Sequence, residues 1–218
     1  MRTRTASRKF DWKSWLGWMA ATMAGAQLVG LMIFFYFADN LNDHWWGDLA
    51  MVSVGGVSFG VCQWIWLRRR LVKAWWWIAS TLLGWYLAAS LVKELGADDS
   101  NATGAVSQLV TLIEVLAIPL AFSLPQWFLI RRQFKKAAWW WVVARPLAWV
   151  AGLGLIVLGD SFDIVPVGAF FWSPPHDLSD LAVVSIGAAI FGLGFATVTG
   201  AAFTWIQANH SVVSSHRD

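Results

Sequence analysis

Long apolar runs recur along this chain, and they constrain its fold more than any other feature. Runs of roughly 20 residues, long enough to cross about 30 Å of hydrocarbon, lie at 14–37, 49–67, 75–92, 106–130, 138–158 and 181–206. Only 13% of the residues are charged, against about 25% in an average soluble domain. We therefore predict an all-α polytopic membrane bundle of six transmembrane helices, forming a single integral membrane domain over residues 1–218.

The first apolar run follows a basic segment, as the core of a secretory signal peptide does. It is longer than such a core, and the sequence after it, "YFADNLND", has no small-x-small cleavage site. We therefore expect a retained transmembrane helix rather than a cleaved signal.

Basic and acidic residues fall on opposite sides of the predicted bundle. With six spans, both termini and the loops at 68–73 and 131–136 share one side, and that side holds every Lys and Arg except Lys93 and Arg145. Most Asp and Glu residues lie on the other side. Because basic loops stay in the cytoplasm, we predict a cytoplasmic-membrane protein with both termini cytoplasmic.

An internal repeat organises the predicted helices. "AWWWIASTLLGW" at 74–85 matches "AWWWVVARPLAW" at 138–149, and "QWIWLRRR" at 63–70 matches "QWFLIRRQ" at 126–133. Fainter copies are "WMAATMAGA" at 18–26 and "TWIQANHS" at 204–211. Fixed self-similarity of this kind indicates repeated structural units. We predict three parallel two-helix repeats, at about 14–70, 74–133 and 138–211, around a pseudo-threefold axis along the membrane normal.

The repeat makes particular residues equivalent. Trp18, Trp77 and Trp141 open the odd-numbered helices, while the even-numbered helices end near three further equivalent residues, Gln63, Gln126 and Thr204.

The Q-W-x-x-x-x-R-R pattern of residues 63–70 resembles a helix exit in uncharacterised Trp-rich, multi-pass bacterial membrane proteins, notably of cyanobacteria and similar phyla. That resemblance extends over the chain and implies a membrane location without a known activity. Mitochondrial carriers also contain three parallel hairpins, but their Pro-x-acidic-x-x-basic signature is missing here. The odd helices instead end "FFYFADN", "YLAASLVKE" and "LGLIVLGDS", so the chain is not a carrier of that family.

Two short basic loops are candidates for contact with anionic lipid headgroups, at Arg68, Arg69, Arg70, Lys73, Arg131, Arg132, Lys135 and Lys136. Juxtamembrane cations attract such headgroups by about 1 kcal/mol each. The alternative is a purely topological role, in which these charges hold the hairpins in place and the neighbouring Trp residues form an interfacial aromatic belt. A nucleic-acid partner is not expected, because these Trp residues belong to the membrane interface.

Four polar residues inside the predicted spans are candidates for an intramembrane functional site. Glu114 is the only carboxylate there and Arg145 the only cation, and such groups usually face the bundle interior or a cavity. Gln63 and Gln126 can join neighbouring helices or line a polar path. The alternatives are a protonated, hydrogen-bonded Glu114 and an Arg145 that extends back to the interface. A direct pair is not expected, because their depths differ by about 10 to 15 Å.

No catalytic, nucleotide-binding or metal-binding motif occurs, and no His lies within a predicted span. We therefore expect no cofactor and no enzymatic activity. The sequence favours a non-catalytic accessory, assembly or scaffolding component of the cytoplasmic membrane, with a possible membrane-protein partner. The alternative is a small-molecule or ion transporter or channel with a path between the three hairpins. The segment at 160–180 is either a lid or an interfacial loop.

Overall fold

The fold of the chain is helical throughout the part that the computed structural model describes, residues 11–38, 45–96, 105–162, 164 and 178–214. The helices are α1 (Trp12–Ala38), α2 (Trp45–Leu67), α3 (Trp76–Gly96), α4 (Ala105–Phe134), α5 (Trp139–Ser161) and α6 (Leu178–Ser214). A short 3-10 helix, Lys135–Ala138, joins α4 to α5. These ranges contain no strand, which confirms the predicted all-α class.

Four helical segments of the described residues are long and apolar enough to cross a membrane. They are Trp12–Tyr36, Trp46–Leu67, Leu116–Ser161 and Asp180–Ala208, and the third covers parts of both α4 and α5. Helix α3 is not among them; it begins with two Trp residues and carries Lys93 and Glu94 near its end. These segments indicate a multi-pass membrane protein. Most of the predicted lid or interfacial loop at 160–180 lies outside the described residues.

The helices form a closed ring. Each helix packs against the next one along the chain, and α6 packs back against α1. One end of the ring, called the basic end below, is where α1 begins, α2 joins α3, α4 joins α5, and α6 ends. A cluster of buried apolar side chains lies at this end and includes Trp18, Leu67, Ile130 and Phe203.

Glycines allow neighbouring helices of the ring to approach closely. A Cβ placed on Gly84 of α3 would lie 2.9 Å from the Cα of Phe122 in α4. On Gly194 of α6, the added Cβ would lie 2.8 Å from the carbonyl oxygen of Ala151 in α5. Small residues at such contacts are how apolar helices gain packing energy in a membrane.

The turn between α2 and α3 is held by a side chain from α4. Gln133 accepts a hydrogen bond from the backbone N–H of Val72 (3.3 Å) and donates one to the carbonyl of Arg70 (3.3 Å). The turn between α2 and α3 is therefore joined to the end of α4.

Two glycines of the α5–α6 region provide a matched test of the close helix contact. We expect Gly194→Ala to destabilise the protein by about 1–3 kcal/mol, because the new methyl group meets backbone that cannot move aside. Gly154→Ala should leave stability unchanged or raise it by up to about 1 kcal/mol, because nothing lies within 4 Å of the added atom. Equilibrium unfolding in mixed micelles measures both, and equal effects would contradict the packing.

Candidate functional site

Three indoles meet in the middle of the ring near its basic end. Trp18, Trp77 and Trp141 lie in α1, α3 and α5, and all three are fully buried. Their ring centroids are 6.1, 5.6 and 5.5 Å apart, in edge-to-face arrangements. Such arrangements of aromatic rings are favourable beyond the area they bury. The residues that the repeat made equivalent are therefore in mutual contact; together they are called the indole triangle below.

Each indole of the triangle donates a hydrogen bond to a buried polar side chain of an even-numbered helix. Trp77 donates to Gln63 in α2 (2.9 Å), and Trp141 donates to Gln126 in α4 (3.2 Å). Trp18 donates to Thr199 in α6 (2.9 Å). A buried indole N–H without an acceptor would cost about 1–3 kcal/mol, so these bonds determine which even-helix residue must lie beside each indole.

A second layer of polar side chains follows one helical turn after the indoles, at Thr22, Thr81 and Arg145. Gln63 donates to the hydroxyl of Thr22 (3.2 Å), and Gln126 donates to the hydroxyl of Thr81 (2.8 Å). Arg145 occupies the corresponding place in α5 and cannot accept a hydrogen bond. Its Nη2 donates instead to Oε1 of Gln126, so this oxygen accepts from both Arg145 and Trp141.

Arg145 is a buried cation with neutral neighbours. Its side chain is 2% exposed, and the guanidinium carbon lies 4.8 Å from the ring centre of Trp141 and 5.1 Å from that of Phe195. Its Nε has no hydrogen-bond partner among the described residues. The guanidinium therefore lies inside the bundle, and the alternative in which it extends back to the membrane interface does not apply.

A cavity of about 1050 Å³ extends from this polar layer towards the other end of the ring. Thr22, Thr81, Gln126 and Arg145 line it at one end, which is called the floor below. All of the helices α1 to α6 contribute wall residues, and most of these residues are apolar or aromatic. The indole triangle closes the ring between the floor and the basic end.

At the end opposite the floor, the cavity is lined by Asp48, Ser90 and Lys93, which are all exposed. Tyr36 of α1 donates a hydrogen bond to Asp48 of α2. The cavity therefore has charged groups at both ends and an apolar middle.

Three of the four predicted intramembrane residues come together. Gln126 and Arg145 are in direct contact, and Gln63 is linked to them through Trp77 and Thr81 of α3. Glu114, the fourth, falls within α4, but its side chain lies outside the described part of the chain.

Thr204 does not take the place that the sequence alignment assigned to it. It is buried, but its hydroxyl donates to carbonyls of its own helix, those of Gly200 and Ala201. Thr199, five residues earlier, accepts the indole hydrogen bond instead. A sequence signal for this register exists: a Phe precedes each acceptor by four residues, at Phe59, Phe122 and Phe195.

The Trp residues of the basic end divide into an exposed and a buried set. Trp75 and Trp76 are exposed while Trp77 is buried, and Trp139 and Trp140 are exposed while Trp141 is buried. The predicted aromatic belt therefore describes only part of each Trp run. Helical periodicity explains the division, because consecutive residues point about 100° apart.

The predicted lipid-contact cations lie at the surface of the basic end. All are exposed except Arg70, whose guanidinium lies 3.9 Å from the ring centre of Trp66. Arg131 similarly lies 4.9 Å from the ring of Trp127. Cation–π contacts of this kind hold an Arg beside an interfacial indole while leaving its charge accessible.

No protein-family model, curated protein or solved structure matches the chain. What the site does must therefore be argued from its own residues. Within the described ranges, no group of three or more His, Cys, Asp or Glu side chains could hold a metal ion. At the floor, a ligand can meet hydrogen-bonding amides and hydroxyls and the positive charge of Arg145.

Two neighbouring indoles of α3 test the importance of the triangle. Trp77→Phe should destabilise the protein by about 1–3 kcal/mol, because the buried Oε1 of Gln63 loses its donor. Trp76→Phe removes an indole that is 43% exposed, and we expect a change within about 0.5 kcal/mol. Equilibrium unfolding in mixed micelles measures both values, and a similar loss for the two variants would argue against the triangle.

Proposed function

We propose that this protein is a small-molecule transporter built from three parallel two-helix repeats, with six membrane spans around a substrate-binding cavity. The observation that carries the proposal is the cavity of about 1050 Å³, which has polar groups on its floor and is lined by all of the helices α1 to α6. Ligand sites in proteins typically have about 300–1,000 Å³ of space and a few convergent polar groups in an otherwise apolar lining.

The repeat is supported by the cyclic pattern of hydrogen bonds. The even-helix acceptor of each hairpin bonds to the indole of the next hairpin: Gln63 to Trp77, and Gln126 to Trp141. The third hairpin returns to the first through Thr199 and Trp18. A rotation that exchanges the hairpins therefore exchanges these bonds. In this arrangement Thr199, rather than Thr204, is the third equivalent of the two Gln residues.

The orientation we propose places the basic end in the cytoplasm, where its exposed cations meet anionic lipid headgroups. The support is the charge asymmetry of the sequence together with the exposure of these cations, Arg68, Arg69, Lys73, Arg131, Arg132, Lys135 and Lys136. Anionic lipid is concentrated in the cytoplasmic leaflet, where each nearby cation gains about 1 kcal/mol.

Single cysteines on the two sides of the bundle test this orientation, one near the outer end of α3 and one in the turn between α2 and α3. In a Cys62→Ala background, Glu94→Cys should react with a membrane-impermeant maleimide in intact spheroplasts, because it lies at the outer end. Arg69→Cys should react only after the membrane is broken. Both native side chains are exposed, so burial does not favour either site. The reverse labelling pattern would overturn the orientation.

A second candidate is the non-catalytic accessory or scaffolding component. It is favoured by the closed basic end, where the indole triangle and Phe203 fill the centre of the ring. A transporter must separate these rings at some stage of its cycle, whereas an accessory protein need not. Movement of a bound molecule across the membrane distinguishes the two functions.

Occupancy and transport can be tested with three probes that share a naphthalene ring and carry a negative, positive or neutral substituent: naphthalene sulfonate, naphthyltrimethylammonium and naphthalenemethanol. We expect saturable binding of at least one labelled probe to the protein in lipid nanodiscs. Ala89 lines the cavity and is half-buried. Ala89→Phe should therefore fill part of the cavity and abolish that binding. Ala201→Phe, at an exposed position, is the control and should bind normally. A charged probe that binds in this way should also enter proteoliposomes that contain the protein.

Each outcome of that experiment decides between the candidates. Binding that depends on the cavity, together with entry into proteoliposomes, supports transport. Binding that depends on the cavity without entry favours the accessory function. If no probe distinguishes Ala89→Phe from Ala201→Phe, the cavity does not accept molecules of this size, and the proposed transport function is wrong.

A further inference from the structure

We infer that Arg145 anchors the negatively charged group of the ligand and that the ligand is an organic anion with an apolar body. This inference rests on the proposed function, because it names the class of molecule that the central cavity would take. The apolar body would lie along the walls, between the floor and the end lined by Asp48 and Lys93.

The first step of the argument is the missing counter-ion. A buried cation is stable when it is paired with an anion or fully hydrogen-bonded. Among the described residues, Arg145 contacts one amide oxygen, that of Gln126, and two aromatic rings, while its Nε has no partner. Its neighbours therefore supply no negative charge.

Asp48 and Glu114 precede the floor residues of their helices by several helical turns. Among the described residues lining the cavity, the only carboxylate is that of Asp48. It precedes Gln63 by 15 positions in α2, which corresponds to about 22 Å along the axis. Glu114 precedes Gln126 by 12 positions in α4, or about 18 Å along that helix. The two acids therefore belong to levels of the ring far from the floor.

The second step is the geometry of the donors. A guanidinium offers five N–H donors in a planar fork that matches carboxylate, phosphate and sulfonate groups. Among the described residues, Gln126 alone accepts a hydrogen bond from this fork in Arg145. Gln126 and the ring of Trp141 hold the guanidinium in place, so an arriving anion meets a donor group that is already oriented. Thr22 adds a hydroxyl on the same floor, whereas the hydroxyl of Thr81 already donates to the carbonyl of Trp77 (2.8 Å).

The third step concerns the rest of the ligand. Above the floor, the cavity is lined by aromatic side chains that include Trp85, Phe122, Trp149 and Phe191. Phe122 and Trp149 are nearly parallel, with ring centres 6.3 Å apart. A small inorganic anion would leave this surface uncovered, whereas an aromatic or aliphatic body would be stabilised by burial against it. The walls therefore select against free phosphate or sulfate.

The shared chemistry, one anionic group on one apolar body, has two natural sources. One is a water-soluble organic acid, and the other is a single-chain lipid with an acidic headgroup that enters from the bilayer. Both would place the anion against Arg145, and they differ only in how the ligand reaches the cavity.

The test compares the three naphthalene probes in nanodiscs containing the wild-type protein, Arg145→Gln, Arg145→Lys or the control Arg69→Gln, whose native side chain is exposed at the basic end. We expect naphthalene sulfonate to bind more tightly than naphthyltrimethylammonium. Arg145→Gln should weaken sulfonate binding by about 10- to 100-fold, because a charge-assisted hydrogen bond is lost. Arg145→Lys should restore part of it, and Arg69→Gln should change nothing.

Neutral naphthalenemethanol separates the anchoring role of Arg145 from the proposed function of the cavity. If it binds equally to the wild type and to Arg145→Gln and is excluded by Ala89→Phe, the cavity is intact and any loss of sulfonate binding is specific to charge. If the ammonium probe binds as tightly as the sulfonate, or Arg145→Gln leaves sulfonate binding unchanged, Arg145 does not anchor the anionic group. The proposal that ligands bind in the cavity is then unaffected. If all three probes bind equally to Ala89→Phe and the wild type, the proposed function itself fails.

Competition identifies the source of the anion. Displacement of bound naphthalene sulfonate by dodecyl phosphate supports a single-chain lipid, and resistance to dodecyl phosphate supports a compact organic acid. Inorganic phosphate should not compete in either case. Equal displacement by inorganic phosphate would overturn the requirement for an apolar body.

Discussion

The contact on which the rest of the structure depends is the meeting of three indoles, Trp18, Trp77 and Trp141, in the centre of the helical ring. Each carries a donor that must find an acceptor once it is buried. Each donor finds that acceptor in an even-numbered helix. Apolar packing alone would leave these helices free to slide or rotate within lipid, since lipid tails are as apolar as the side chains. The indole hydrogen bonds instead determine the depth and rotation of each helix relative to its neighbours.

The same constraint separates a closed end from a hollow one. Large rings fill the axis near the basic end, while one turn further along the odd helices the side chains shorten to Thr22 and Thr81. The space above them is not refilled by larger side chains, and a cavity of about 1050 Å³ results. Arg145 breaks the pattern of two threonines and brings a charge to the floor.

Much of the architecture could be predicted from the sequence, because it depends on local periodicity and length. Each of the predicted apolar runs overlaps one of the helices α1 to α6. The three indoles that the sequence alignment predicted to be equivalent are in mutual contact. The register of α6 relative to the other helices was harder to predict from the sequence. Its exit lacks the cation block that marks the other two, so the alignment settled on Thr204, five residues beyond the true acceptor Thr199. The side-chain environment of Glu114 stays a matter of prediction.

The sequence by itself determined that the chain is helical and apolar enough for a membrane, and that its charges, apart from those of Glu114 and Arg145, lie near the ends of the predicted spans or outside them. These properties follow from composition and spacing along one dimension. Only the tertiary structure decided which Trp of each run turns inward, that Gln126 holds Arg145, and that the guanidinium lies inside the bundle rather than at its surface. Those outcomes depend on the rotation of each helix about its axis and on the space left between neighbours. Both are set by contacts between different helices, which join residues as close in sequence as Gln126 and Arg145 and as distant as Trp18 and Thr199.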